Sequence, residues 1–200
     1  MTAETIARVH IVLNDIEPTI WRRVDVPVTA SLKMLHDIIQ AAMGWENYHL
    51  WNFEAGDRRY GVPDPAWPDN GMAAARNVKL ATLLDRGVRE LLYTYDMGDD
   101  WRHTITVESI GPGEPDQQYP RFVDGERRCP PEDVGGLPGF EMFLDAMADP
   151  VHEEYHRLRE WYGGPYNADG IDERFTRRAL AAIASRRHAG KIAYLKSRTQ

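Results

Sequence analysis

The order in which two hydrophobic periods occur most constrains what this chain can become. Segments with alternating apolar residues come early, and segments in which they recur every three to four residues dominate the end. Residues 5–13 (TIARVHIVL), 20–26 (IWRRVDV), 48–55 (YHLWNFEA), 90–96 (ELLYTYD) and 101–109 (WRHTITVES) have the period of a half-buried strand. The last two predict a hairpin joined through Met97-Gly98-Asp99-Asp100. One helix interrupts early, where Leu32, Leu35, Ile38, Ile39, Ala42 and Met43 form a stripe. Ser31 or Thr29 can cap its start, and Gly44 stands where a left-handed stop belongs. A short helix, KLATLLDRG, closes at Gly87.

From Pro138 onward the pattern is helical, first with Phe140, Phe143, Leu144 and Met147 on one face. A further helix is expected after Pro150. A last one starts near Asp172, with Phe175, Ala179, Ala182 and Ile183 inward and Gly190 as a break. The Pro- and Gly-rich stretches 61–74 and 111–136 read as loops. Strands first and helices last exclude a βαβ repeat. The expected class is α+β, with an antiparallel or mixed sheet of about five strands packed against one N-terminal helix and a C-terminal helical segment.

Length allows one domain over 1–185, followed by a basic tail at 186–200. From Arg174 on, eight Lys or Arg (Arg174, Arg177, Arg178, Arg186, Arg187, Lys191, Lys196, Arg198) occur without one acid, against 24 basic and 31 acidic residues in all. The first 173 residues therefore carry −15. Weak, non-specific contact of the tail with nucleic acid is one expectation. Neutralisation of the acidic body is the other. The lone cysteine, Cys129, and the lack of a leader pattern or a membrane-length apolar run predict a cytoplasmic protein with no membrane partner.

His152 to His156 spell H-E-x-x-H, the helical signature of many zinc proteases. On a helix following Pro150, however, Val151, Tyr155, Leu158 and Tyr162 form the packing face, and His152 and His156 turn about 90–130° away from it. No rigid apolar setting surrounds them, and a third ligand would have to come from Glu173 in another helix. The two histidines are a weak alternative metal site, and a zinc protease is not expected.

A better cluster lies around the 96–100 turn. Strand alternation puts His103 with Trp101, Ile105 and Val107, and His49 with Trp51 and Phe53. Each histidine is thus expected to be at least half buried, and one of them to bond a carboxylate. One reading makes them core residues beside a turn in which Asp suits the backbone. The other makes a pocket from His49, Asp96, Asp99, Asp100, Trp101, His103 and the loop holding Cys129, Glu132 and Asp133. That pocket would take a small ligand or a divalent metal. No cofactor is otherwise expected, and no phosphate-cradling or nucleophile-elbow motif is present.

Four stretches then carry a resemblance: IWRRVDVP (20–27), LHDIIQAAMGWENYHLWNF (35–53), YTYDMGDDWRHTITVE (93–108) and PRFVDGERRCPPEDVGG (120–136). Together, over about residues 5–180, the chain resembles the plasmid pRiA4b ORF-3-like family, which includes the resolvase-labelled passenger protein of an insertion element. Met97 departs from the Phe expected there. The resemblance implies one α+β domain, often encoded on plasmids or mobile elements, with no established biochemical activity, and it supplies no catalytic residues. The resolvase label also fails chemically. TAETIARVHIVLND offers no nucleophilic Ser with clustered arginines, and 174–187 holds no Tyr for an Arg/His/Arg/Tyr set. The expected function is a non-catalytic binding or interaction module with a protein or small-molecule partner. The alternative is a metal- or ligand-dependent enzyme using the His49/His103 region.

Overall fold

β1 (Thr5–Leu13) buries Ala7, Val9, Ile11 and Leu13 and half-exposes Arg8, His10 and Val12. β2 (Ile20–Pro27) returns antiparallel to it and buries Ile20, Arg22, Val24 and Val26 on the same face. In the computed structural model, which describes residues 3–66 and 71–197, this pairing is part of an eight-stranded sheet. The other strands are β3 (Trp51–Ala55), β4 (Arg58–Gly61), β5 (Met72–Ala74), β6 (Glu90–Tyr95), β7 (Trp101–Pro112) and β8 (Arg121–Glu126). Their order is β5-β4-β3-β6-β7-β1-β2-β8, and every neighbour is antiparallel except β4 with β5.

The class is α+β, but the sheet has eight strands and not about five. The three extra strands are short and broken by polar or proline-rich sequence. β5 lies in the stretch 61–74 and β8 in 111–136, both expected as loops, and each is held by a neighbour and not by its own pattern. Residues 67–70 of the first stretch lie outside the described residues. β3 starts at Trp51 and not at Tyr48, because Asn47 turns the chain at φ 61.

The helices cover one face. α1 (Leu32–Met43) begins at Ser31, whose hydroxyl accepts from Met34 N at 3.2 Å, and stops at Gly44 with φ 89. Its stripe joins the core, flanked by α2 (Leu80–Leu84). α3 (Gly136–Ala148) and α4 (Tyr155–Tyr162) pack through Phe140, Phe143 and Leu158. α5 (Glu173–Ser197) lies along β8 and α1. The opposite face is polar and laced by ion pairs. Asp25 there accepts from Arg8 at 2.9 and 3.1 Å and from Arg121 at 3.0 Å.

Three helical expectations are corrected. α4 begins at Tyr155, so Val151 lies in a turn and is 88% exposed, not packed. α5 buries Thr176, Leu180, Ile183 and Ala184, and Phe175 is rotated outward to 56% exposure. Gly190 does not break the helix, which continues to Ser197. Arg187 in this part pairs with Glu4 and also donates to Thr29 Oγ1 at 3.1 Å. Residues 198–200, including Arg198, lie outside the described residues, as does the Leu195 side chain.

Candidate functional site

Three loops meet at one end of the sheet. They are the α1–β3 connection (44–50), the β6–β7 turn (96–100) and the β8–α3 loop (127–135). Glu132 clamps the third onto the first. Its Oε1 accepts from Glu46 N at 2.6 Å and from Tyr95 Oη at 3.0 Å. Tyr95 Oη also accepts from Tyr48 N at 3.1 Å, and burial and the Glu132 carboxylate push its phenol pKa up. Trp45 Nε1 adds a bond to Pro130 O at 2.9 Å. Asp99 clamps the third loop onto the second by accepting from Gly135 N at 3.2 Å. Gly136 is required at this contact, since a Cβ there would stand 2.9 Å from Asp99 O and its φ is +66.

The clamps bring His49, Asp96 and Asp133 together, one from each loop. His49 Nε2 lies 2.9 Å from Asp133 Oδ1 and 3.6 Å from Asp96 Oδ2. Asp96 is 8% exposed and held from behind, its N–H donating to Leu50 O and its Oδ1 accepting from Gly98 N at 2.9 Å and Asp99 N at 3.3 Å. That leaves Oδ2 turned toward His49.

The other candidates separate. His103 is fully buried, with Nδ1 3.1 Å from Trp101 O and its ring edge-on to Trp45. It is a core histidine bonded to carbonyls, as the first reading of the sequence allowed, and it does not converge with His49. A chain of ring contacts through Trp45 and Tyr95 separates the two. Trp101 is core against Phe140. Asp100 turns outward to Arg102, whose Nε donates to it at 3.0 Å. Cys129 accepts from Arg22 Nη2 at 3.1 Å, and burial raises its thiol pKa against the pull of Arg22 and Arg128. His152 precedes α4 and accepts from Glu154 N at 3.1 Å, so H-E-x-x-H spans a turn and a helix start. Among the described residues neither His152 nor His156 belongs to a group of three potential metal ligands, whereas His49, Asp96 and Asp133 do.

Beside the trio a cleft of about 470 Å³ runs between the β8–α3 loop and the start of α5. Its charged lining is Glu46, Glu132, Asp133 and Asp172 with Arg22 and Arg128, and Trp161 and Phe175 line it as well. Sequence reasoning missed Arg22, which reads as the outward arginine of an Arg-Arg pair. In fact Arg22 alternates with Ile20 and Val24, so the period placed it inward. It also missed His36, buried between Tyr93 Oη at 2.8 Å and Asn47 Oδ1 at 2.7 Å and stacked on Trp51. Its signal was a polar pair, His36 and Gln40 at i and i+4, beside the apolar stripe.

A one-faced, mostly antiparallel sheet whose loop end carries an acidic–histidine trio beside an arginine-lined cleft defines the class. The chain belongs to the plasmid pRiA4b ORF-3-like protein family, whose sequence model matches residues 5–174. It is 40% identical over 159 residues to the uncharacterized protein y4hQ of Sinorhizobium fredii, covering 80% of this chain and 81% of that one. It is also similar to the crystal structure of MM3350 from Methanosarcina mazei, a protein of unknown function. There the TM-score is 0.79 at 32% identity, with 86% of this chain and 98% of that one covered.

Proposed function

We propose that this protein is a non-catalytic binding module that takes a small organic anion into the cleft, with the anionic group at Arg22 and Arg128 and an apolar ring against Trp161 and Phe175. The observation that carries the reading is Arg22. It is 2% exposed, yet no carboxylate pairs with it among the described residues. Its bonds run to Ala42 O (2.9 Å), Trp21 O and Glu126 O (each 2.8 Å) and Cys129 Sγ. A guanidinium has five N–H donors, so one of them remains for a ligand. The C-terminal carbonyls of α1 offset part of the buried charge, and an anion in the cleft would offset the rest. Among the described residues the Arg128 guanidinium likewise donates to Tyr162 Oη (3.0 Å) and Gly170 O (3.3 Å), lies over the Tyr166 ring and pairs with no carboxylate. Trp161 and Phe175 stand 46% and 56% exposed, and the volume suits a small ligand.

Against a proton-transfer role, the shifted groups around the loops move away from neutrality, where a general acid or base works best. His36 and His103 are lowered to about 3 by burial, and the Tyr95 and Cys129 groups are raised.

The probe is 8-anilinonaphthalene-1-sulfonate, which carries an aromatic body and one anion, with benzoate as competitor. One saturable equivalent is expected. Arg128→Gln and Trp161→Ala should each weaken it by about tenfold, the worth of one charged hydrogen bond or ring contact, with near-ultraviolet circular dichroism unchanged. Binding that is non-saturable, or indifferent to both substitutions, contradicts the reading.

A further inference from the structure

We propose that His49, Asp96 and Asp133 hold one divalent first-row metal ion, of the Mn²⁺ or Zn²⁺ kind, that ties the three loops together at the rim of the cleft. This stands independently of the anion reading. His49 Nε2, Asp96 Oδ2 and Asp133 Oδ1 lie within 4.8 Å of one another. Ligands each about 2.0–2.2 Å from a shared ion are themselves about 3.0–3.4 Å apart. The gaps from Nε2, 2.9 Å and 3.6 Å, bracket that spacing.

The second observation is the nitrogen itself. His49 Nε2 is shielded from solvent and makes no hydrogen bond, although Asp133 Oδ1 is 2.9 Å away. The oxygen is therefore off the axis along which the ring N–H or lone pair points. In a simple ion pair it would lie on that axis. In a coordination sphere the axis belongs to the ion, and the next ligand sits to one side. The positions behind the ligands agree with this. Asp96 is fixed through Oδ1 by two N–H groups, so Oδ2 is presented, and Glu132 and Asp99 hold the loop carrying Asp133.

One imidazole with two carboxylates suits Mn²⁺ or Zn²⁺ better than the all-oxygen preferences of Ca²⁺ and Mg²⁺ or the thiolate preference of Cu⁺. Three protein ligands also leave at least one coordination position for water or a ligand. Tyr48 and Leu50, which flank His49 in sequence, are 68% and 72% exposed.

Full-length protein stripped with chelator is titrated with Mn²⁺ alone, followed by loss of the free-ion paramagnetic resonance signal and by calorimetry. Zn²⁺, Mg²⁺ and Ca²⁺ are run separately. We expect one equivalent of Mn²⁺, a raised Tm in its presence, and binding at least about tenfold weaker in His49→Gln, Asp96→Asn and Asp133→Asn. Asp100→Asn, four residues beyond Asp96 in the same turn but facing Arg102, should bind as the parent does. Asp133 is exposed enough that its Asn variant keeps the fold, which the metal-free Tm checks. The proposal is overturned by three results: no saturable Mn²⁺ or Zn²⁺ binding below millimolar concentration, affinity unchanged in Asp133→Asn, or affinity lost only in His152→Ala/His156→Ala.

Discussion

His36 and His103 are the residues whose chemistry burial changes most. His36 Nδ1 accepts a hydrogen bond from the Tyr93 hydroxyl and Nε2 donates to Asn47 Oδ1, an arrangement that needs the neutral ring. His103 faces two backbone carbonyls with Nδ1 and has no acid beside it. Both are lowered from 6.5 to about 3, chiefly by desolvation. Between those values the unfolded chain binds protons that the folded chain does not. Stability should therefore be full above pH 6.5 and fall as pH drops through the window toward 3, at about 1.4 kcal/mol per pH unit for each histidine. His10, also lowered by burial, acts with the same sign. Glu4 and Glu108, whose carboxyls are lowered, join only below about 4.5. Urea unfolding at pH 7.5, 6.0 and 5.0 should show the loss already between the first two and steepening to the third, and His36→Gln should flatten it. A stability constant from pH 7.5 to 5.0 would mean that the folded protein accommodates both protons. Burial of His103 was legible in the sequence because period two fixes a face. Its partners were not, because a carbonyl across a strand leaves no mark in composition.

At the scale of elements, legibility followed the strength of the period. α1 was readable to its caps, since Ser31, the stripe and Gly44 all agree. The 90–109 hairpin was readable for the same reason. β4, β5 and β8 are three to six residues long; β4 folds back on β3 through the two-residue turn Gly56-Asp57, whereas β5 pairs across the 62–71 stretch and β8 with β2, about 100 residues away. For β5 and β8 no local window contains that information, while the Gly56-Asp57 turn was a local signal for β4 that sequence reasoning passed over. In α5, glycine was given too much weight as punctuation. Gly190 sits inside a helix of 25 residues whose anchoring comes from Leu180, Ile183 and the Arg187–Glu4 pair upstream. Helix continuity there makes a direct prediction. A Cβ at Gly190 would meet nothing within 4 Å, and its φ is not positive. Gly190→Ala should therefore stabilise by about 0.5–1 kcal/mol, raising Tm by about 1–4 °C. A lower Tm in a thermal melt would show that the chain bends at this point.

For the whole molecule, the site is the part that the sequence could name but not assemble. His49, Asp96 and Asp133 were among nine candidates, and only the docking of three loops selects them from Asp100, His103 and Cys129. Charge distribution poses a similar question at larger scale, because a basic C-terminal segment on a −15 body suggests either a phosphate-binding arm or an internal counterweight. Among the described residues the structure divides seven of the eight between the two, Arg198 lying outside them. Arg187 pairs with Glu4, and Arg177 pairs with Glu173 at 2.8 Å while its guanidinium lies over Phe122. Arg174, Arg178, Arg186, Lys191 and Lys196 are exposed along α5. At most five phosphate contacts would give duplex DNA binding a log–log salt slope no steeper than about −4.5, without base readout. The acidic body works against even that by repelling the same phosphates. Labelled duplex titrated at 20 mM and 150 mM salt should accordingly show weak binding at the first and none at the second. The fivefold variant Arg174→Gln/Arg178→Gln/Arg186→Gln/Lys191→Gln/Lys196→Gln should abolish the low-salt signal without shifting Tm. Sequence-selective binding that survives 150 mM salt in the parent and the variant alike would place a nucleic-acid site elsewhere on the molecule and refute the counterweight account.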